Sequence, residues 1–400
     1  MSQSTIGAPW RATDAASGLG SAKLATRLAF FIAGFGLACW APFVPYAKER
    51  IGASDAELGS ILLFLGIGSV IGMPLAGMLA ARLGQRLVVA GGAVGLAIAL
   101  PSLAFASQAV ELAAALLVFG ASLGAVDVAA NMHGTEVQSR AGKPLMSGFH
   151  GLYSVGGLAG AGAVTLALSF GLNVVVTAAA ASAIVIVCLL VAFSRFLAHA
   201  TTGEPHSVFV VPHGIVVLIG VLTGLTFLVE GAVLDWGAIM LADSKQMPVG
   251  SAGVGYTAFA LAMTVTRIVG DSFVARMGDR MTLGLGSVVT ALGVALAAWA
   301  DNSWVSVAGF AVSGVGAANI VPVLFTLAGR QKAMPSGYAI SAVSTLGYLG
   351  VFLGPAMIGH VAQAITLPLS FGALAVLMLI VAALAGTVVD RTNAGTGDAR

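Results

Sequence analysis

The sequence predicts an all-α membrane protein of twelve transmembrane helices arranged as two parallel six-helix repeats. Three observations predict it. The 400 residues are 58% hydrophobic and 8% charged, with a mean hydropathy of +1.00, whereas soluble domains carry about a quarter charged residues. The apolar residues gather into runs of roughly 20, the length that crosses a bilayer as a helix. The chain also repeats itself: "ARLGQR" at 81–86 returns as "ARMGDR" at 275–280, so the offset from 81 to 275 is 194 residues.

The runs lie near 25–46, 56–80, 86–105, 109–131, 146–170, 173–194, 211–240, 252–275, 281–300, 303–327, 338–361 and 367–388. Each must be helical, because a lone span has to satisfy its own backbone hydrogen bonds. Ser54 and Glu57 have the spacing of a capping box at the start of the second span. Pro42 and Pro45 end or bend the first. The polar segment "MSQSTIGAPWRATDAASGLGSAK" reads as a cytosolic tail and not as a signal peptide, since the apolar run after it is too long. The expected organisation is a tail at 1–24, a six-helix bundle at 25–194, a cytosolic linker at 195–210, a second bundle at 211–388 and a tail at 389–400.

Lys and Arg orient the chain. With both termini inside, the cytosolic set is Arg11, Lys23, Arg27, Arg82, Arg86, Arg140, Lys143, Arg195, Arg276, Arg280, Arg330, Lys332, Arg391 and Arg400. The outer set is only Lys48, Arg50 and Lys245. The 194-residue offset also carries Gly156 and Gly160 onto Gly350 and Gly354, and an offset of 192 carries Gly124 onto Gly316 and Asp127 onto Asn319. Both halves start inside, so the repeats are parallel, an arrangement that places a solute site near the midplane between them.

"GMLAARLGQR" at 77–86 resembles the loop signature G-x-L-A-D-R-x-G-R-[KR] of the major facilitator superfamily, with Ala81 and Gln85 at two departures. "DVAANMHGTEVQ" at 127–138, "FHGLYSVGGLAGAG" at 149–162 and "EGAVLDW" at 230–236 are similar to a bacterial branch, the YbjJ-like inner-membrane proteins. The resemblance implies the major facilitator fold in a bacterial inner membrane, a small-molecule substrate and alternating access. It also implies a cytosolic latch built on Gly77, Arg82, Gly84 and Arg86 and on Arg276, Gly278 and Arg280; the plainer reading is that these arginines only fix topology. The absent signature Asp at Ala81 suggests a weak latch and a preference for the inward-open state. Proton-drug antiporters of the superfamily often carry G-x-x-x-G-P in the fifth span. Here Ala161 takes the Pro position and the match is "GVFLGP" at 350–355, which tilts the reading away from drug efflux.

Polar residues inside spans are the candidate site, since ionisable groups at such depth are costly and functional. Asp127 and Asn131, four apart, share a helix face, as a gate with Arg267 or as a solute or proton site. Arg267, the one cation committed to a span, either pairs with Asp271 at i+4 or faces the cavity. His150 and Tyr153 are packed residues or line the pathway. Trp40, Trp236 and Tyr256 are interfacial or packing aromatics, or cavity walls offering a stacking face. Asn319 matches Asp127 in the repeat. Asp235 reads as a solvated interface anchor. Glu230 sits past the midplane of the seventh span, after an unbroken apolar run with few local partners. It is a packing carboxyl or the group that binds a proton or a solute hydroxyl. The small-xxx-small pairs Gly156/Gly160 and Gly350/Gly354 read as packing seams.

Several functions are disfavoured. The sequence has no phosphate loop, no nucleophile-base set, no paired metal spacing and no basic segment for nucleic acid, and Cys39 and Cys188 read as buried hydrophobes. The expectation is therefore a monomeric secondary active transporter without cofactor or metal, not an enzyme. It would move a sugar-like or carboxylated solute with proton coupling. Proton-driven efflux and a non-transporting membrane sensor are the alternatives.

Overall fold

The computed structural model describes residues 12–142, 145–197 and 211–394. Twelve helices are long and apolar enough to cross a membrane. They are α1 (Gly18–Ile51), α2 (Asp55–Leu83), α3 (Gln85–Phe105), α4 (Ala109–Ala141), α5 (Gly148–Ser169), α6 (Val174–Phe193) and α7 (Ile215–Ser244). Next come α8 and α9, the two legs of Val254–Trp299 on either side of Gly278. The last three are α10 (Ser303–Arg330), α11 (Tyr338–Ala364) and α12 (Leu367–Asn393). The first helix starts earlier than expected, at Ala12. Most of the expected linker, 198–210, lies outside the described residues.

Local chemistry accounts for the breaks. Ser54 and Glu57 form the reciprocal capping box, satisfying two of the amides that a helix start leaves bare. Pro42 bends α1 without ending it, through a tight turn at Ala41–Phe43 into Val44–Ile51. Asn173 and Asn302 cap α6 and α10 by accepting from the amides two and three residues on. The repeat extends to the backbone. Gly84 has φ 86° and ψ 153° and Gly278 has φ 75° and ψ 165°. These two positions, 194 residues apart, make the same left-handed turn, which a side chain would strain.

The seams are where the glycines predicted them. A Cβ on Gly156 or Gly160 would overlap the Phe31 or Phe35 carbonyl of α1, and one on Gly350 would overlap the Gly224 carbonyl of α7. Gly354 makes only ordinary contact with Leu228. α1–α5 and α7–α11 are therefore repeat-related close pairs, held by backbone proximity. Outward-facing Ile98, Phe105, Phe170, Leu190, Leu292 and Ile268 are each more than half exposed, as lipid-facing side chains of such helices are.

Gly350→Val should lower the thermal unfolding midpoint of the purified protein, because overpacking this seam costs about 1–3 kcal/mol. Gly91→Ala, where a Cβ meets nothing within 4 Å, should leave the midpoint unchanged or raise it slightly.

Candidate solute and proton site

The candidate residues come from both halves and converge between them. On α4, Asn131 Nδ2 donates to the Asp127 carbonyl at 2.9 Å and to Asp127 Oδ1 at 3.3 Å, which fixes the carboxylate on one helix face. His150 and Tyr153 on α5 both lie within electrostatic reach of Asp127. The His150 ring hydrogen-bonds the Met146 carbonyl at 3.0 Å and tilts against Phe30. From the second half, Arg267 reaches toward Tyr153, Glu230 and Tyr256. Tyr348 on α11 is close enough to Asp127 to feel its charge. It also stands in a row of rings, with centroids 6.1 Å from Phe227 and 5.7 Å from Phe352.

Arg267 is held in an informative way. α10 is interrupted at Ala318–Asn319. Pro322, four residues after Ala318, has no N–H to give the Ala318 carbonyl. Arg267 Nε donates to that carbonyl at 3.1 Å, while Gly270 lets α8 close onto the Asn319 side chain. One edge of the guanidinium is thus spent on backbone repair, and its terminal amino groups remain for the cavity. Among the described residues no ion pair joins Arg267 to Asp127 or Glu230. The Asp271 side chain lies outside the described residues. Asn319 lies at the helix break, where its side chain packs against Gly270 and makes no capping hydrogen bond.

Glu230 Oε1 is buried without a hydrogen-bond partner among the described residues. One expectation needs correcting: Asp235 is not a solvated anchor but only 5% exposed. Trp40 and Trp236 are fully buried, which agrees with the packing alternative over the interfacial one. Among the described residues the exposed tryptophans are Trp299 and Trp304. The reason is that α1 and α7 meet here. Asp235 lies near the Trp40 indole without reaching hydrogen-bond geometry, since Asp235 Oδ1 and Trp40 Nε1 are both unpartnered.

Above this layer the halves are sealed at the end away from the termini. A Cβ on Gly59 would sit 2.7 Å from the Pro355 carbonyl and 3.1 Å from Gly359, and one on Gly66 would run into Phe352. Gly253 abuts Pro42 and Thr165, and Gly250 abuts Leu168. Lys48 Nζ clasps Asp55 at 2.7 Å in its own half and Asp243 at 2.6 Å in the other. Nothing in the sequence points to that clasp beyond Lys48 being one of three cations on its side.

The end carrying the termini is open. His150, Tyr338 and Ile340 are exposed there, and Gly77, Gly84, Gly148, Gly151 and Gly278 face empty space. The predicted latch arginines act inside their own halves in this conformation. Arg86 lies over the Phe193 ring, Arg280 pairs with Asp390 and Arg330 pairs with Asp279. Arg82 and Arg276 form no ion pair among the described residues.

The profile of the Major Facilitator Superfamily matches residues 216–399. An uncharacterized MFS-type transporter of Yersinia pestis is 46% identical over 370 residues, covering 92% of this chain and 96% of the relative. Among solved structures, a point mutant of the nucleoside transporter NupG superposes with a TM-score of 0.76 at 16% identity, covering 93% of this chain and 99% of the other. The inward-open xylose transporter XylE from E. coli gives 0.70 at 16%, covering 93% and 96%.

Lys48→Met should loosen the seal. In a background with Cys39 and Cys188 replaced by Ala, a cysteine at Thr165 should react faster with a membrane-impermeant maleimide. The gain should be at most about fivefold, the scale of a partly exposed ion pair. An unchanged rate would show that the glycine contacts alone hold the seal.

Proposed function

Because the chain belongs to the Major Facilitator Superfamily, we propose that this transporter moves a small polar organic solute, sugar-like or carboxylated, by alternating access with proton coupling at Glu230. The observation that carries this reading is the composition of the space between the halves. Asp127, Asn131, His150, Tyr153, Glu230, Tyr256, Arg267 and Tyr348 converge there from both halves, and it is open at one end and closed at the other. Tyrosine hydroxyls and the Asp127–Asn131 pair suit solute hydroxyls. The free amino groups of Arg267 suit a carboxylate or an electron-rich oxygen. The row Phe227–Tyr348–Phe352 gives one wall a flat apolar face.

Lys and Arg favour both termini in the cytoplasm of a bacterial cell with the protein in the inner membrane. In that orientation this conformation is inward-open. The cycle then runs as a rocking of one half against the other. Glu230 carries the coupling role because its Oε1 is buried without a hydrogen-bond partner among the described residues, within electrostatic reach of Arg267 and Tyr256. Protonation neutralises it for the occluded state, and release toward the open end leaves Arg267 to hold it until the next turn.

Glu230→Gln keeps size and hydrogen bonding and removes titration. In proteoliposomes it should abolish accumulation driven by a proton gradient while sparing solute exchange at equal concentrations on both sides. Accumulation equal to wild type would place the coupling elsewhere.

A further inference from the structure

The repeat puts Arg86 and Arg280 in equivalent places, 194 residues apart, but their surroundings differ. In the first half the Arg86 guanidinium carbon sits 3.9 Å from the centre of the Phe193 ring, on the last turn of α6. The same offset carries Phe193 onto Thr387 of α12. The ring is missing there, and the preceding residue is Gly386, against whose backbone the Arg280 guanidinium lies. What remains is a groove of about 590 Å³ between α9 and α12, lined by Met277, Arg280, Met281, Leu285, Gly386 and Asp390 among others.

We propose that this groove binds one membrane phospholipid, with the headgroup phosphate on Arg280. The groove lies at the end of two spans that carry exposed Met277, Met281 and Leu285, so its apolar length lies where acyl chains pass and its charged mouth lies at headgroup depth. Arg280 and Asp390 are 3.5 Å apart and 69% and 66% exposed, too loosely joined to satisfy each other. A guanidinium takes a phosphate in a two-pronged hydrogen-bonded contact. The Asp390 carboxylate complements an ammonium and repels a second negative charge. The pair therefore selects a zwitterionic amine headgroup over an anionic glycerol one. Arg86 offers no such site, because Phe193 fills the space and covers the charge.

The test uses the delipidated full-length protein, with bound lipid counted by native mass spectrometry after titration with phosphatidylethanolamine, phosphatidylglycerol or inorganic phosphate. Wild type should retain one phosphatidylethanolamine more tightly than phosphatidylglycerol, and phosphate alone should not compete. Arg280→Gln should weaken retention about tenfold or more, the scale of losing charge-assisted hydrogen bonds. Thr387→Phe, which rebuilds the first half's filler, should abolish retention while leaving Arg280 in place and the unfolding temperature in detergent undiminished. Phe193→Thr should open space beside Arg86 and add a second lipid without the amine preference, because the same offset carries Asp390 onto Phe196. Retention equal to wild type in folded Arg280→Gln and Thr387→Phe overturns the proposal, as does competition by inorganic phosphate at equal concentration. Should Thr387→Phe fail to fold, Arg280→Gln and Phe193→Thr decide between them.

Discussion

A polar group inside a bilayer has no water to fall back on, so it must find its partner within the protein. Most of this chain obeys by local means. Ser69, Thr223, Thr226, Thr290 and Ser370 each return their hydroxyl to a carbonyl four residues back, which costs the helix little. Where the local means fail, a distant residue is recruited. Pro322 strips the Ala318 carbonyl of its helical donor, and Arg267 crosses from α8 to supply one. Among the described residues several buried groups escape the rule: Glu230, Asp235, Trp40 and Trp236 lie where the two halves meet, whereas Gln85, Thr282 and Ser306 lie within one half. The same constraint that makes the rest of the chain helical thus singles out Glu230 and Asp235 as carboxyls with a buried oxygen left unpartnered.

The repeat supplies a scaffold and its imperfections supply the chemistry. Gly84 and Gly278 turn alike, and the α1–α5 seam is rebuilt as α7–α11. Side chains at equivalent positions then diverge. Asp127 accepts a hydrogen bond from Asn131, whereas Asn319 packs its side chain against Gly270 at the α10 break. The loop position of Gln85, buried with Oε1 unpartnered, becomes Asp279, which pairs with Arg330. A symmetric shell around an asymmetric interior lets the halves rock as equivalent bodies while the groups facing a solute differ.

Spans, seams and the capping box were legible in the sequence because they depend on spacing along one helix. So was the presence of a carboxylate at Glu230, since its strangeness is local. Partnerships between halves were not. Lys48 meets Asp243 across 195 residues, and nothing along α1 specifies which element of the second half will lie opposite. Asp235 shows the same limit from the other side. Its neighbour Trp236 and its nearness to the end of a span suggested solvent, but the burial comes from α1 arriving against it. Tyr348 shows the limit again, because only the approach of α4 brings Asp127 near it.

The contacts that hold each half together and those that hold the halves to each other differ in what accompanies the glycines. Within a half, glycine backbones meet backbones so closely that no side chain fits, as at Gly156 and Gly350, and those surfaces continue into fully buried aromatics such as Phe30 and Phe149. Between halves the glycine contacts are as close, at Gly59 against Pro355 and Gly250 against Leu168, and beside them stands one cation shared by two acids, of which Asp243 is half exposed. Ion pairs in such a setting contribute about 0–1 kcal/mol, and small-residue contacts bury little apolar area to add to it. A motion that separates the halves therefore breaks the weaker class and leaves the stronger one intact.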